Sequence, residues 1–397
     1  MIKVVVTGVG AVSSNAWNAN ELYINSIEGK TGIKNTNVLK DIGIPSLYAG
    51  EITCNCKGID KYIYMCDLAI KEIFNDSGLS KEYINSLDSR SVFSLGTSIL
   101  ISLPIEKQMR KQLQNTKDNL DKSSIDYNYS KYIYYLNEQI GNCGDVYVIN
   151  TACASGTMAV GNAFELIKSG NVDVAIAGGV DVFSDTSISG FNSMQNMSSN
   201  PTKPFDENRE GLNIGEAAAF FVLESEEHAL ARGAKIYAEV FGYDSKNDAY
   251  HITAPDPKGA GAYECMKNVI SEYTFEDGDI LYINAHGTGT SANDPMEISA
   301  IERVVEGESG IEKVWMSSSK SMLGHCLGAA GAIELAICVL CQKYGQMPLS
   351  ISVDKPLPMN HIELVTTKEQ SISFDLCISN SFAFAGNCAS IGICKYI

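Results

Sequence analysis

A cysteine stands where an apolar run gives way to small residues, in the stretch VINTACASGTMAVG that begins at Val148. The run predicts a strand and the following residues predict a helix, so Cys153 falls at the helix N-terminus. Backbone N–H groups and the helix dipole at that place stabilise a thiolate, so we expect the pKa of Cys153 to be lowered and its sulfur to act as a nucleophile. A buried structural thiol is the alternative, because free cysteine is usually buried.

Two of the five histidines follow apolar strands in glycine-flanked turns. His286 lies in NAHGTGTSAND and His325 in KSMLGHCLGAAG. A histidine that only fills the core sits more often inside an element, so these two are the candidate partners of the nucleophile, as N–H donors or bases. His251 is a weaker third candidate, and His228 and His361 are predicted to lie on the surface.

Alternating strands and helices must position these residues. The alternation of β-rich runs with helical stretches predicts an α/β protein. A strand that runs into a helix of small residues occurs twice, at 146–168 and 313–344. Small residues let backbones approach closely, so both helices are predicted to be buried between layers. We predict a duplicated five-layer αβαβα fold, a single domain of two pseudo-repeats at about 1–245 and 246–397.

Charge and cysteine content exclude several classes of protein. The chain has 30 basic and 47 acidic side chains and a net charge of −17, which disfavours nucleic acid and anionic membrane as partners. No apolar run reaches the roughly 20 residues of a membrane span. No export signal is visible, so we expect a cytoplasmic protein with mostly reduced cysteines. Cys54 and Cys56 lack a second pair or a nearby histidine, so no metal site is expected.

Six ordered motifs resemble the β-ketoacyl-acyl-carrier-protein synthase family, in particular synthase II and its polyketide relatives. They are VVVTGVGAVSSN, TACASG, KPFDENREGLNIGEAAAFFVLE, HGTGT, KSMLGHCLGAAGAIE and NSFAFAGN, and they span nearly the whole chain. Six motifs in order are far more specific than any one of them. The resemblance implies the thiolase-like fold and a single ketosynthase domain.

The resemblance also implies an acyltransferase that performs a decarboxylative Claisen condensation in fatty acid or polyketide synthesis. Cys153 would carry the acyl chain as a thioester. His286 and His325 would stabilise the enolate that forms when malonyl-acyl-carrier-protein loses carbon dioxide, because N–H donors aimed at a developing oxyanion lower the barrier. Backbone N–H groups of Cys153 and Phe384 would form the oxyanion hole for the acyl carbonyl.

Three further side chains receive roles from the resemblance. Lys320 would lie beside the site, ion-paired with Glu297, because a buried lysine needs a partner. A solvated loop lysine is the alternative for Lys320. Thr288 and Thr290 would hydrogen-bond the pantetheine amides. No cofactor is implied, since the substrates are carried on the phosphopantetheine of the acyl carrier protein.

The implied partners are the acyl carrier protein and a second copy of the chain, with a heterodimer with another ketosynthase-like subunit left open. Carrier proteins are acidic and so is this chain, so docking requires a local basic cluster near the tunnel mouth. Lys61, Lys203 and Arg209 are the candidates. Reversing Lys203 and Arg209 to glutamate is predicted to slow turnover with the carrier.

Two other functions are alternatives for a chain with these motifs. A partner subunit that controls chain length would lack the nucleophile, which is present. A thiolase would need a second cysteine in a Cys-x-Gly setting, and neither Cys388 nor Cys394 has it. Ala383 and Ala385 stand where the family has glycines, so the family pattern does not predict how this loop opens and closes the site. Residues 99–140 depart most from the family pattern, so the sequence predicts neither the length of the acyl chain nor the pathway.

Overall fold

The computed structural model describes residues 2–41, 43–44, 48–115, 127–306, 308 and 311–397. Part of the divergent segment 99–140, residues 116–126, therefore lies outside the described residues. The strands are β1 (Val4–Ser13), β2 (Lys34–Asn35), β3 (Tyr48–Ala49), β4 (Ser91–Gly96), β5 (Asp145–Ile149), β6 (Val174–Asp181), β7 (Ala217–Ser225), β8 (Ala238–Asn247), β9 (Asp279–Asn284), β10 (Ile311–Ser317), β11 (Ile362–Leu364), β12 (Leu376–Phe382) and β13 (Asn387–Cys394).

Helices alternate with these strands, as the sequence predicts. They are α1 (Ala19–Glu28), α2 (Val38–Asp41), α3 (Ile59–Ser77), α4 (Lys81–Leu87), α5 (Ser102–Asn115), α6 (Ser130–Ile140), α7 (Ser155–Lys168), α8 (Asp185–Ser193), α9 (Glu226–Ala231), α10 (Ala260–Ile270), α11 (Asn293–Val305), α12 (Lys320–Leu323) and α13 (Ala330–Tyr344).

The strand order repeats itself in two halves of the chain. Among the described residues, one sheet of eleven strands contains β5-β4-β6-β7-β1 and, joined to it, β8-β13-β12-β9-β10 with β11 at the far edge. When the five strands of each set are numbered along the chain, both sets have the same spatial order, 3-2-4-5-1. The two first strands, β1 and β8, meet over three residue pairs, from Val4 opposite Val240 to Val6 opposite Ala238. The boundary predicted near residue 245 thus falls inside β8, and the repeat restarts at Ala238.

Two helices lie between the halves. α7 and α13 pack on each other and on strands of both sets, while α3 packs outside β1 and β7 and α10 packs outside β8 and β13. The five-layer arrangement is therefore confirmed. The small residues permit this contact: a Cβ on Gly156 would lie 2.8 Å from the backbone nitrogen of Ala332, and one on Gly331 would lie 1.9 Å from Thr157 Oγ1.

The last of these helices is also the most apolar. Within the described residues, Leu327–Tyr344 is long and apolar enough to cross a membrane by composition, but 89% of this stretch is buried inside the protein. The stretch is therefore a core element that holds the two halves of the fold together.

Candidate active site

The turn that carries Cys153 has a strained backbone. Cys153 lies in a short 3₁₀ turn, Ala152–Ala154, between β5 and α7. Ala152 has φ of +52°, a left-handed conformation that costs a residue with a Cβ roughly 1–2 kcal/mol. The Ser155 hydroxyl holds the turn by donating to the Ala152 carbonyl at 2.6 Å and accepting the Thr151 N–H at 2.9 Å.

The second half of the chain contains the same turn without a thiol. Leu327 has φ of +52° and opens the 3₁₀ turn Leu327–Ala329, which leads into α13. Gly328 takes the place that Cys153 has in the first half, and its N–H donates to the buried Asp181 carboxylate at 2.6 Å. The duplication therefore provides one nucleophile, and the second turn is a packing contact.

The Cys153 thiol is buried, with 6% of its surface exposed. Burial raises the pKa of the Cys153 thiol to about 12, and the nearby Lys320 ammonium opposes this rise. The lowered pKa expected from the helix N-terminus is therefore wrong, because removal of the sulfur from water is the largest influence on this thiol. The thiol is neutral at rest.

A cavity of about 420 Å³ brings the predicted residues together. Its wall includes Cys153, His286, His325, Thr288, Thr290 and Phe384. The imidazole rings of His286 and His325 lie edge to face with centroids 5.4 Å apart. The loops that follow strands of both halves therefore converge on one chamber.

The proton of His325 can be placed from its contacts. The Leu327 N–H donates to Nδ1 of His325 at 3.1 Å, so Nδ1 is an acceptor and the ring proton is on Nε2. Burial, and then the charge of Lys320, lower the pKa of His325 well below its usual range, so the ring stays neutral. His325 is thus an Nε2–H donor at neutral pH.

His286 has the same tautomer for a different reason. Lys320 Nζ donates to Nδ1 of His286 at 3.3 Å, which leaves the proton on Nε2. Burial lowers the pKa of His286 well below its usual range, with Lys320 and His325 adding to the effect. The Glu297 carboxylate fixes the turn by accepting the N–H groups of His286 at 2.7 Å and Gly287 at 2.8 Å.

Lys320 is buried, with 1% exposed, which contradicts the alternative of a solvated lysine. Its ion pair is with Glu334 of α13 at 2.5 Å, so the predicted pairing with Glu297 is wrong. Glu297 uses both carboxylate oxygens on backbone N–H groups, whereas Glu334 faces Lys320 from the core helix. Burial raises the pKa of Glu334 to about 7, and Lys320 opposes the rise. Glu334 is the one acidic residue of the apolar stretch GAAGAIE, and this feature of the sequence could have identified it as the partner of Lys320.

The Phe384 segment forms part of the cavity wall. The Phe384 ring stacks on Phe191 of α8 with centroids 5.4 Å apart. Ala385 has φ of +60° and its N–H donates to the Ile252 carbonyl at 2.7 Å. Ala383 is extended, with φ of −121°. Of the two alanines at family glycine positions, only Ala385 is therefore under backbone strain.

The two threonines lie next to each other on the cavity wall. Thr288 Oγ1 and Thr290 Oγ1 are hydrogen-bonded at 2.9 Å. Thr288 is buried and Thr290 is half-buried. Both hydroxyls can exchange this mutual bond for bonds to an amide of a ligand in the cavity.

Two of the three candidate docking cations are unsuitable. Lys61 is buried and ion-paired with Glu216, so it cannot meet a partner protein. Arg209 donates to the carbonyls of Thr290 at 3.0 Å and Asp206 at 3.1 Å, so it supports the loop of Thr290. The predicted reversal of Arg209 would therefore damage the site itself. Only Lys203 stays a candidate.

The other histidines lie outside the chamber. His251 is exposed and its Nδ1 accepts the Thr253 N–H at 3.1 Å. His361 is exposed, as predicted. His228 lies at the surface only in part, because it is half-buried and its Nδ1 is bonded to Glu224.

Comparison with known proteins agrees with this geometry. The family model described as Beta-ketoacyl synthase, N-terminal domain, matches residues 3–229, and the one described as Beta-ketoacyl synthase, C-terminal domain, matches residues 237–354. The chain belongs to the β-ketoacyl synthase family. Within that family it is a ketosynthase, a condensing enzyme of the acyltransferase class. These similarities favour a condensing enzyme over a partner subunit.

Similar proteins include 3-oxoacyl-[acyl-carrier-protein] synthase 2 of Synechocystis sp., which is 31% identical over 99% of this chain and 98% of its own. The namesake from Rhizobium meliloti is 42% identical over 261 residues, which are 64% of this chain and 61% of that relative. Among solved structures, a type II polyketide synthase acyl-carrier protein in complex with its ketosynthase, bound to the hexaketide, contains a chain with a TM-score of 0.89 and 29% identity over 100% of both chains. A β-ketoacyl synthase from Burkholderia phymatum has a TM-score of 0.87 and 25% identity over the same coverage.

Proposed function

We propose that the chain condenses an acyl group held on Cys153 with malonyl-acyl-carrier-protein. One observation carries the assignment of roles: a single chamber contains the Cys153 thiol and two neutral histidines whose Nδ1 atoms already accept hydrogen bonds. Their Nε2–H groups are then free to donate to a substrate oxygen. A thiol beside two such donors suits acyl capture followed by enolate formation.

The first step transfers the acyl group. Cys153 sulfur attacks the thioester carbonyl, the bond to the pantetheine sulfur breaks, and the Cys153 proton leaves with the pantetheine thiol. The transfer is neutral in protons overall, so a thiol with a high pKa at rest can still react. Lys320 and the N-terminus of α7 stabilise the transient thiolate. Backbone N–H groups of Cys153 and Phe384 are the proposed donors to the carbonyl oxyanion.

The second step makes the carbon–carbon bond. The malonyl carboxylate leaves as carbon dioxide, and its bonding electrons form an enolate whose oxygen accepts from Nε2–H of His286 and His325. The enolate carbon attacks the acyl carbonyl on Cys153, and the sulfur leaves as a thiolate that takes a proton from water. The product is a β-ketoacyl thioester on the carrier. Each donor of this kind is worth roughly 10²–10³ in rate.

Lys320 acts as a positioning residue in this scheme. It holds the His286 tautomer and brings positive charge towards Cys153, and Glu334 neutralises the charge of Lys320. Thr288 and Thr290 are the proposed hydrogen-bonding partners of the pantetheine amides, because both residues line the cavity and carry hydroxyls. No cofactor is needed beyond the phosphopantetheine of the carrier.

The acyl carrier protein is the proposed partner at the cavity mouth. Residues 253–256 line the cavity, and the exposed Lys258 lies two residues further along the chain. Lys203, partly exposed and paired with Asp354, is the second candidate. We expect Lys203→Glu and Lys258→Glu to raise KM for the carrier and to leave alkylation of Cys153 unchanged.

A matched control for these reversals is Lys395→Glu. Lys395 is exposed beyond the C-terminal end of β13, whereas Cys388, near the start of that strand, lines the cavity. Seven residues of strand separate the two positions by roughly 23 Å. Equal effects of all three reversals would argue against docking at the mouth.

A dimer is proposed from the outer strand of the sheet. In the part of the chain that the structure describes, β5 lies at the sheet edge, and Val146, Tyr147 and Val148 are 37%, 38% and 38% exposed. An apolar strand with one unpaired edge is a template for a second strand. We propose that a second copy pairs here, with another ketosynthase-like subunit as the alternative.

Val148→Lys should convert the dimer to a monomer in analytical ultracentrifugation. Ile24→Lys is the control, because Ile24 is equally exposed, at 37%, but lies on α1. A purified chain that is monomeric before mutation would contradict the homodimer.

The cytoplasm is the proposed compartment, since all twelve cysteines are free thiols.

The function is tested by incubating the enzyme with malonyl- and acyl-acyl-carrier-protein. We expect release of carbon dioxide and a carrier-bound product two carbons longer, detected by mass spectrometry. A protein that releases no carbon dioxide and forms no longer product would fit the alternative of a partner subunit that controls chain length.

A further inference from the structure

Two cysteines outside the active site face each other. Cys54 and Cys56 lie in the loop between β3 and α3, with their sulfur atoms 3.1 Å apart. The other ten cysteines are buried, whereas these two are half-exposed. The pair therefore combines proximity with access to solvent, and the reaction scheme above does not use it.

The pair lines a second cavity, of about 520 Å³. Lys57, Lys107 and Arg110 also line this cavity, and none of the three is buried. Lys107 is ion-paired with Asp60 and Arg110 with Asp185, and both acids line the cavity as well, so the lining attracts neither anions nor cations strongly. Because both cysteines are half-exposed and line this cavity, a small soluble disulfide can reach the thiols without entering the catalytic chamber.

We propose that Cys54 and Cys56 are a redox modification site that closes to an intramolecular disulfide and slows condensation. The oxidant class is a small disulfide such as oxidised glutathione. The thiolate of one cysteine attacks a glutathione sulfur and expels glutathione thiolate, which leaves a mixed disulfide. The second cysteine attacks the protein sulfur and expels the second glutathione. Two thiols of the protein lose two electrons and two protons, and one disulfide becomes two thiols.

The geometry requires only a small movement. A disulfide places its sulfurs about 2.05 Å apart, so the two atoms must approach by about 1 Å. Burial, and then the neighbouring Cys54 sulfur, raise the pKa of Cys56 to about 11. Closure is therefore expected to be slow at pH 7 and faster at pH 9, because the thiolate is the reacting form.

The loop is anchored to the centre of the protein. The Ile52 N–H donates to the buried Glu216 carboxylate at 2.9 Å, and the Gly50 N–H donates to the Ile214 carbonyl at 2.9 Å. Contraction at residues 54–56 therefore acts on the segment 213–216.

The same segment holds His325. The His325 N–H donates to the Asn213 carbonyl at 2.7 Å, and the Gly215 N–H donates to the His325 carbonyl at 2.9 Å. The thiol loop and the enolate-stabilising histidine thus share one backbone support. A shift of this support moves the Nε2–H of His325 relative to the substrate, which is the physical basis of the slower turnover.

The test exposes the whole enzyme to graded ratios of oxidised and reduced glutathione, alkylates the free thiols and maps the cysteines by mass spectrometry. The expected product is a peptide with Cys54 and Cys56 joined and Cys153 alkylated. Turnover should fall by roughly fivefold, the low end of allosteric coupling, and recover with dithiothreitol. This effect rests on the proposed function, so the turnover of the oxidised enzyme is compared with that of the reduced enzyme.

The control variants are Cys54→Ser and Cys56→Ser, which cannot close the ring and should keep turnover under the same oxidation. A Cys54–Cys56 pair that stays reduced, or that carries only separate glutathione adducts, would overturn the modification site. Equal loss of turnover in wild type and Cys54→Ser would assign the effect to Cys153 and overturn the regulatory link. An inactive reduced enzyme would instead reject the proposed function.

Discussion

Replacing Lys320 by methionine tests whether the buried ammonium serves catalysis or only the fold. Its Nζ lies 2.5 Å from Glu334 Oε1 and 3.3 Å from His286 Nδ1. Loss of one partner of a buried ion pair costs roughly 3–5 kcal/mol of unfolding free energy. Glu334 reduces this cost by taking a proton, since burial already raises its pKa to about 7.

The catalytic cost follows from the histidine tautomer. Among the described residues Lys320 is the donor to Nδ1 of His286, so its removal frees the ring to place its proton on either nitrogen. One of the two enolate donors is then compromised, and loss of one donor slows such a step by roughly 10²–10³. We expect carbon dioxide release to fall by about 10²-fold. Acylation of Cys153 should slow as well, because Lys320 opposes the raised pKa of its thiol.

The double variant Lys320→Met with Glu334→Gln separates the two roles. It removes both charges, so unfolding in urea should show the stability recovered relative to the single variant. Carbon dioxide release from malonyl-acyl-carrier-protein should stay at the low level of the single variant. Recovery of turnover in the double variant would refute the positioning role of Lys320 and reduce it to a structural ion pair.

Two further variants test the gate and a buried carboxyl. Ala385→Gly relieves roughly 1 kcal/mol of left-handed strain and favours the observed loop, so iodoacetamide should alkylate Cys153 about fivefold more slowly. The control variant Ala383→Gly should not slow this alkylation. Equal alkylation rates for both variants would refute the strain argument. Burial raises the pKa of Glu297 to about 7 from its usual 4.5, so the folded state holds more protons and its stability falls as pH rises through 7. The unfolding free energy of wild type minus that of Glu297→Gln should therefore decrease between pH 5 and pH 8 in urea titrations, and a rising difference would contradict it.

The layer architecture could be predicted because its signals are local. Each strand that runs into a helix of small residues is visible in the sequence, and close helix contact requires such residues at Gly156 and Gly331. The position of Cys153 at a strand-to-helix boundary is equally local. These features depend on neighbours along the chain, so they are read without the tertiary structure.

The features that could not be predicted are set by distant residues. Whether Lys320 pairs with Glu297 or Glu334 depends on which carboxylate has backbone N–H partners. The pKa of Cys153 depends on burial by both halves of the fold. The glycine pattern of the family likewise does not reveal that Ala385 is left-handed and Ala383 is extended.

The most direct test compares carbon dioxide release from malonyl-acyl-carrier-protein by Cys153→Gln with release by His286→Ala and His325→Ala. We expect Cys153→Gln to release carbon dioxide without forming a longer product, because the enolate donors are intact. Each histidine variant should still be acylated at Cys153 but should lose roughly 10²–10³ in carbon dioxide release. Undiminished release by either histidine variant, or none by Cys153→Gln, would contradict the division of labour between thiol and imidazoles.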